Sequence, residues 1–146
     1  MLKDKLNEDL KNAMKNKDKD ELNTLRSVKG AVQLEVINNK KEDNDELYLD
    51  VINKQIKMRN DSINEFKKAG RTDLIESYQK EIDILSRYMP KMLTEDELDE
   101  IINKVFDEVK PSSMKDFGTL MKSITPLVKN RCDMSKLSQI IKNKLN

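Results

Sequence analysis

Between Leu47 and Tyr88 the chain carries one glycine and no proline, and that glycine falls in the segment FKKAGRTDL, Phe66 to Leu74. Two long helical patterns therefore meet at a single sharp corner. Gly70 suits the left-handed conformation that closes a helix, Lys67 and Lys68 stand where cations complement the negative end of its dipole, and Thr72 is placed to N-cap the next helix. Three glycines and three prolines in 146 residues are too little turn material for a multi-stranded β fold. The expectation is an all-α, multihelical protein.

Apolar residues recur at helical spacing along most of the chain. Leu2, Leu6, Leu10, Ala13 and Met14 mark a first helix, and Leu22, Leu25, Val28, Val32 and Val36 a second. Gly30 interrupts the second at roughly 1 kcal/mol relative to Ala, which suggests close packing there. A third helix is expected from about Asn44 to Ala69, close to 40 Å long at about 1.5 Å per residue, so it must extend past its partners or bridge them. The fourth, from Asp73 to Tyr88, stops at Pro90. Thr94 with Glu97 then reads as a capping box opening a helix over Leu98 to Val109. A short helix is expected from Met114 to Ile124, a new start at Thr125 with Pro126 in its first turn, and a last helix capped by Asp133. This places a four-helix N-terminal unit with the long third helix in residues 1–92 and a smaller, basic helical subdomain in residues 93–146.

The residue inventory excludes several chemistries. There is no histidine and one cysteine, Cys132, so the usual catalytic base, a thiolate zinc site and a disulfide framework are all missing. No stretch approaches the roughly 18 consecutive apolar residues of a membrane span, and MLKDKLNEDL carries acids where a secretory signal places its apolar region. No membrane role is expected, and the location expected is cytoplasmic. Neither a cofactor nor a metal is expected: Glu95, Asp96, Glu97, Asp99 and Glu100 open a helix, where dipole complementarity accounts for them without a divalent cation. Cys132 has Lys129 and Arg131 nearby to lower its pKa, but without a base it reads as a small, half-buried hydrophobe. Ser112 and Ser113 beside Lys115 lack the glycine-rich surroundings an oxyanion hole needs and read as helix caps, so no catalytic residue is assigned.

A net charge of +1 conceals a reversal. Acids dominate from Lys91 to Lys110. From Pro111 onward, Lys115, Lys122, Lys129, Arg131, Lys136, Lys142 and Lys144 face only Asp116 and Asp133. A basic end on a near-neutral chain points to an anionic partner. Helix starts expected at Ser113, Thr125 and Asp133 add free backbone N–H groups that suit phosphate. Only Phe117 among these residues is aromatic, which disfavours base stacking on single strands and favours folded RNA read through its phosphates.

The segment QIKMRNDSINEFKKAGRTDLIESYQKEIDILSRYMPKMLTEDEL, Gln55 to Leu98, resembles the central part of the GatB/YqeY family. The match includes Arg59, Asp61, Ser62, Phe66, KAGRTDL, Glu81, Leu85, Tyr88, Met89, Pro90 and Leu93, with Leu25 and Arg26 in the second helix. FGTLMKSITPLVKNRCD is similar to the family's C-terminal pattern, with Gly118, Met121, Pro126, Val128, Arg131 and Asp133 in register. Phe117 replaces a Met, and Asn130 and Met134 stand where the family tends to carry glycines; Asn tolerates the left-handed turn, Met134 replaces a glycine less easily. The resemblance implies an all-helical protein in two subdomains, similar to the tail of the B subunit of aspartyl/glutamyl-tRNA amidotransferase. That tail is a non-catalytic appendage that helps hold tRNA, within a carbon-nitrogen ligase that uses glutamine as amido donor.

The leading functional expectation is accordingly an accessory module, not an enzyme on its own, that binds tRNA through Lys115, Lys122, Lys129, Arg131 and Lys136. Arg71 joins them because capping does not explain it. The partners expected are tRNA and an amidotransferase or another protein. The alternative is a protein-protein adaptor docking through the long charged third helix.

Overall fold

The computed structural model describes residues 1–146: seven α-helices, one 3₁₀ turn and no strand. The all-α expectation holds. The chain divides into two compact units, Met1–Met89 and Pro90–Asn146.

The first unit contains α1 (Leu2–Lys15), α2 (Lys19–Asn38), α3 (Asp45–Ala69) and α4 (Thr72–Ser86). Its core is built from Leu6 and Leu10 of α1, Leu25, Val28 and Val32 of α2, Tyr48 and Ile52 of α3, and Ile84 and Leu85 of α4. Burying such side chains contributes on the order of 1.5–3 kcal/mol each, which decides the helix faces. Caps set the boundaries: Asp18 accepts from Glu21 N, and Asn44 from Leu47 N. Tyr88 closes the unit by donating its hydroxyl to Asp9 on α1, with Lys5 Nζ 5.1 Å from the centre of its ring.

The main core reaches along α3 only as far as Ile56. Beyond it α3 extends past α1 and α2, as its length requires, and α4 covers the rest. Phe66 and Tyr78 meet edge-to-face with ring centres 5.2 Å apart. Arg59 Nε donates to Glu81 at 3.2 Å while its Nη1 reaches the Gln55 carbonyl, so the pair is tied into the hairpin. The corner is a Schellman arrangement, with Arg71 N on Phe66 O, Gly70 N on Lys67 O and Gly70 at φ 70°.

Two local expectations fail in this unit. Thr72 is not the N-cap of α4: Arg71, the last residue of the Schellman turn, takes that place, and its carbonyl accepts from Ile75 N. The turn is so tight that the helix begins one residue early. Gly30 packs against nothing, for a Cβ built there meets no atom within 4 Å and the residue is exposed.

The second unit contains α5 (Glu95–Val109), the 3₁₀ turn Met114–Asp116, α6 (Phe117–Val128) and α7 (Met134–Leu145). Leu98, Ile102 and Val105 of α5 pack with Leu120, Ile124 and Val128 of α6 and Leu137 and Ile141 of α7. Thr94 caps α5 by accepting from Glu97 N, and its hydroxyl donates to the Glu97 carboxylate, so the expected box forms with side chain meeting side chain. The left-handed turn after α6 survives without glycine, since Asn130 adopts φ 65°. Met134 begins α7 and packs against the core, so no close backbone approach is needed there.

Candidate nucleic-acid interface

The largest departure from expectation lies among the helix starts that were to bind phosphate. Thr125 starts nothing: α6 runs through Pro126 to Val128, and the Thr125 hydroxyl donates back to the Met121 carbonyl at 2.6 Å. Proline removes the donor that would meet the Lys122 carbonyl and sets its ring against that carbonyl, a cost borne in the last turn of α6. Ser113 begins no more than the 3₁₀ turn, and its hydroxyl accepts from Lys115 N. At α7 the carboxylate of Asp133 already accepts from Ser135 N. Of the three expected helix starts only that at Asp133 exists, with one of its N–H groups taken by the cap, so attraction to phosphate rests chiefly on side-chain charge.

That charge is segregated by element. α5 carries seven acids and one lysine; α6 carries Lys122 alone, and α7 carries Lys136, Lys142 and Lys144, with no acid on either. Two acids interrupt the basic side, and both hydrogen-bond locally while keeping their charge. Asp133 caps α7, and Asp116 accepts from Ser112 N and Oγ at 2.8 and 3.3 Å. The backbone hydrogen bond from Ser112 holds the Asp116 carboxyl below its usual range.

The structure treats the six candidates differently. Lys122 is exposed on the outer face of α6, opposite Leu120, Ile124 and Val128. Lys115 is exposed on the 3₁₀ turn, and Lys129 is exposed where α6 ends. Arg131 is a clip. Its Nε donates to the Lys91 carbonyl at 3.2 Å, and its own carbonyl accepts from Leu93 N at 2.8 Å, so the segment entering α5 is held on the α6–α7 turn. Lys136 stands at a groove of about 480 Å³ whose rim also carries Glu95, Asp99 and Asp133, acids that oppose its charge. Arg71 belongs to the first unit and is explained there, its Nε and Nη2 donating to the Asp73 carboxylate at 3.3 and 3.2 Å. Lys115, Lys122 and Lys129 are exposed and stand away from the acids that line the groove at Lys136.

Lys142 and Lys144, which lie outside that set, also have structural work. Lys142 Nζ lies 5.3 Å from the Phe117 ring centre; Lys144 Nζ lies 5.9 Å from that of Phe106 and donates to Asn103. Such cation-π contacts join residues far apart in the chain, and no local pattern announces them.

Cys132 lines the same groove as Lys136 and is half-buried. Burial, and then Asp133, push its thiol above the usual value, so Lys129 and Arg131 do not activate it. No cluster of three or more metal-ligating side chains occurs, and no helix is long and apolar enough to cross a membrane.

Comparison with known proteins gives a consistent picture. The pattern of the family described as Yqey-like protein matches residues 3–145. Three proteins named "Altered inheritance of mitochondria protein 41, mitochondrial" are similar to this chain. That of Pyrenophora tritici-repentis is 39% identical over 129 residues, covering 82% of this chain and 69% of the relative. That of Lachancea thermotolerans is 35% identical over 111 residues, 74% and 59%. That of Saccharomyces cerevisiae YJM789 is 38% identical over 105 residues, 70% and 57%. The matched region thus spans little more than half of two of these relatives. Their names overturn the cytoplasmic expectation. Its basis was the missing apolar segment of a secretory signal, which says nothing about mitochondrial import, whose leaders are amphipathic.

Proposed function

Because the chain belongs to the YqeY-like protein family, whose pattern accounts for residues 3–145, we propose that it is a non-catalytic accessory module that binds folded RNA, tRNA first, through the α6–α7 side of its C-terminal unit. It would serve amidotransferase-type chemistry, carbon-nitrogen ligation with glutamine as amido donor, carried out by another protein. One observation carries the reading: α6 and α7 present lysines and no acid. Lysines act as point charges on phosphates, which suits shape-based recognition of structured RNA and sets affinity by counterion release. The relatives' names make mitochondria the compartment to test first.

Titration of the protein with tRNA at two salt concentrations tests the reading. Binding at low salt should weaken steeply as salt rises, and Lys115→Ala, Lys122→Ala and Lys129→Ala should each reduce the slope of log K against log salt by somewhat under about 1. Absence of binding at low salt, or an unchanged slope in the triple variant, refutes it. Ammonia released from glutamine by the purified chain would refute its non-catalytic part.

A further inference from the structure

Beyond Ile56, where the main apolar core of the first unit ends, α3 and α4 are joined in part by polar side chains. Arg59 is held on two of its three nitrogens: Nε donates to Glu81 Oε2 at 3.2 Å, and Nη1 donates to the Gln55 carbonyl at 3.2 Å and to Gln55 Oε1 at 3.4 Å. Gln55 is fixed in turn from α2, since its Oε1 accepts from Ser27 Oγ at 3.0 Å and its Nε2 donates to the Ser27 carbonyl at 3.2 Å. The fork between Arg59 and Glu81 is only half used, because Arg59 Nη2 and Glu81 Oε1 bond to nothing in the chain. These two residues line a cleft of about 250 Å³ with Met58, Ser62 and Tyr78. The Ser62 and Tyr78 hydroxyls also have no partner in the chain, and none of these unpartnered atoms is sealed from solvent. The Arg59 and Glu81 side chains are 15% and 24% exposed, and an ion pair so shielded adds little stability over apolar packing. A braced guanidinium, a free carboxylate oxygen and two idle hydroxyls are more than the hairpin needs to stay closed.

We propose that this cleft binds a primary carboxamide, the group that ends a glutamine or asparagine side chain. Such a group carries a carbonyl and an N–H on one edge, so Arg59 Nη2 donates to the first and Glu81 Oε1 accepts from the second, leaving the Ser62 and Tyr78 hydroxyls for its outer lone pair and N–H. Charge selects this ligand. Arg59 and Glu81 together are neutral: an anionic group would meet Glu81, a cationic one would meet Arg59, and a neutral group with both a donor and an acceptor opposes neither. A backbone amide holds its N–H and C=O on opposite edges and cannot engage both. The Tyr78 ring, braced edge-to-face by Phe66, and the Met58 side chain wall the cleft for the methylenes that carry the amide. The network through Gln55 fixes the guanidinium beforehand, so little ordering is left to binding. Ser62 bonds to no base, and the amide is therefore held and not cleaved. This site lies in the other unit from the basic surface and stands apart from the RNA reading.

The test titrates the full chain with three probes, read by NMR on backbone amides and arginine Nε–H groups. They are N-acetyl-glutamine N-methylamide, which stands for a side chain on a polypeptide, its glutamate counterpart, and free glutamine. The glutamine derivative should shift the signals of Arg59, Ser62, Tyr78 and Glu81, and the glutamate counterpart should bind about tenfold or more weakly. Tighter binding of the derivative than of the free amino acid supports a polypeptide partner as the source, and the reverse order supports a free amide. Glu81→Gln should weaken binding about tenfold, but it also breaks the ion pair with Arg59. Ser62→Ala and Tyr78→Phe avoid that difficulty, since each removes a hydroxyl with no partner in the chain: both variants should melt as the wild type does and bind about threefold or more weakly. The proposal is overturned if the glutamine derivative does not bind, if the glutamate counterpart binds equally well, or if both hydroxyl variants bind as the wild type does. It is equally overturned if guanosine monophosphate moves the same signals and the amides do not, which would make the cleft a nucleobase pocket.

Discussion

Gly30→Ala should make this protein more stable, by an amount the structure supplies. The residue lies in the twelfth position of a 20-residue helix, has ordinary helical backbone, and offers an added Cβ open space with no atom within 4 Å. No steric term opposes the change, so the full helix-propensity difference applies, about 0.8–1.0 kcal/mol. With an unfolding entropy of about 2 cal/mol/K per residue, melting should rise by about 3 °C if the chain unfolds as one, or about 5 °C if Met1–Met89 unfolds alone. Thermal melts monitored by far-ultraviolet circular dichroism measure this, and urea titration with unchanged m-value confirms that the native state has gained stability. A lower melting temperature would refute the reasoning. It would mean that Gly30 makes the tight contact within the chain that its sequence position first suggests.

Tyr88→Phe removes the hydroxyl that donates to Asp9 and should cost about 1 kcal/mol at neutral pH. Burial first, and Asp9 second, raise the folded-state pKa of this phenol above its ordinary value. The stability it contributes is therefore complete below about pH 10 and lost as pH rises further, so the gap between variant and wild type in urea unfolding should shrink at high pH; a constant gap counts against it. Pro126→Ala should stabilise by about 1 kcal/mol or more by restoring a donor to the Lys122 carbonyl, whereas a proline that starts a helix would give a loss on calorimetry. Arg131→Ala should lower stability by under about 1 kcal/mol and leave the salt slope of RNA binding unchanged, because its Nε holds Lys91; a slope reduced by nearly 1 would make it a phosphate contact.

What could be read from the sequence was local. Periodicity located the helices, Thr94 and Asp133 act as the caps expected of them, and Asn44, expected as the first residue of the third helix, is its cap. Thr72 and Thr125 misled for different reasons: Arg71, ending the Schellman turn, takes the cap position before Thr72, whereas the Thr125 hydroxyl sits inside a helix and bonds backward to Met121. Gly30 misled differently, because a glycine in a helix signals close approach and here nothing approaches. The candidate site was legible as composition and not as geometry. The Arg131 clip spans 40 residues, and the rings under Lys142 and Lys144 lie on other elements, so nothing in the local pattern separated these cations from Lys122.

The segregation of charge within the C-terminal unit has a physical consequence beyond affinity. Its acids, concentrated on α5, and its cations, on and around α6 and α7, nearly cancel over the unit. A body of this kind feels little net pull toward a distant polyanion. What it feels is torque, turning its lysine-bearing side forward while acidic repulsion discourages contact the other way round. Orientation would be selected before contact, and added salt would blur that selection by shortening the distance over which the field acts.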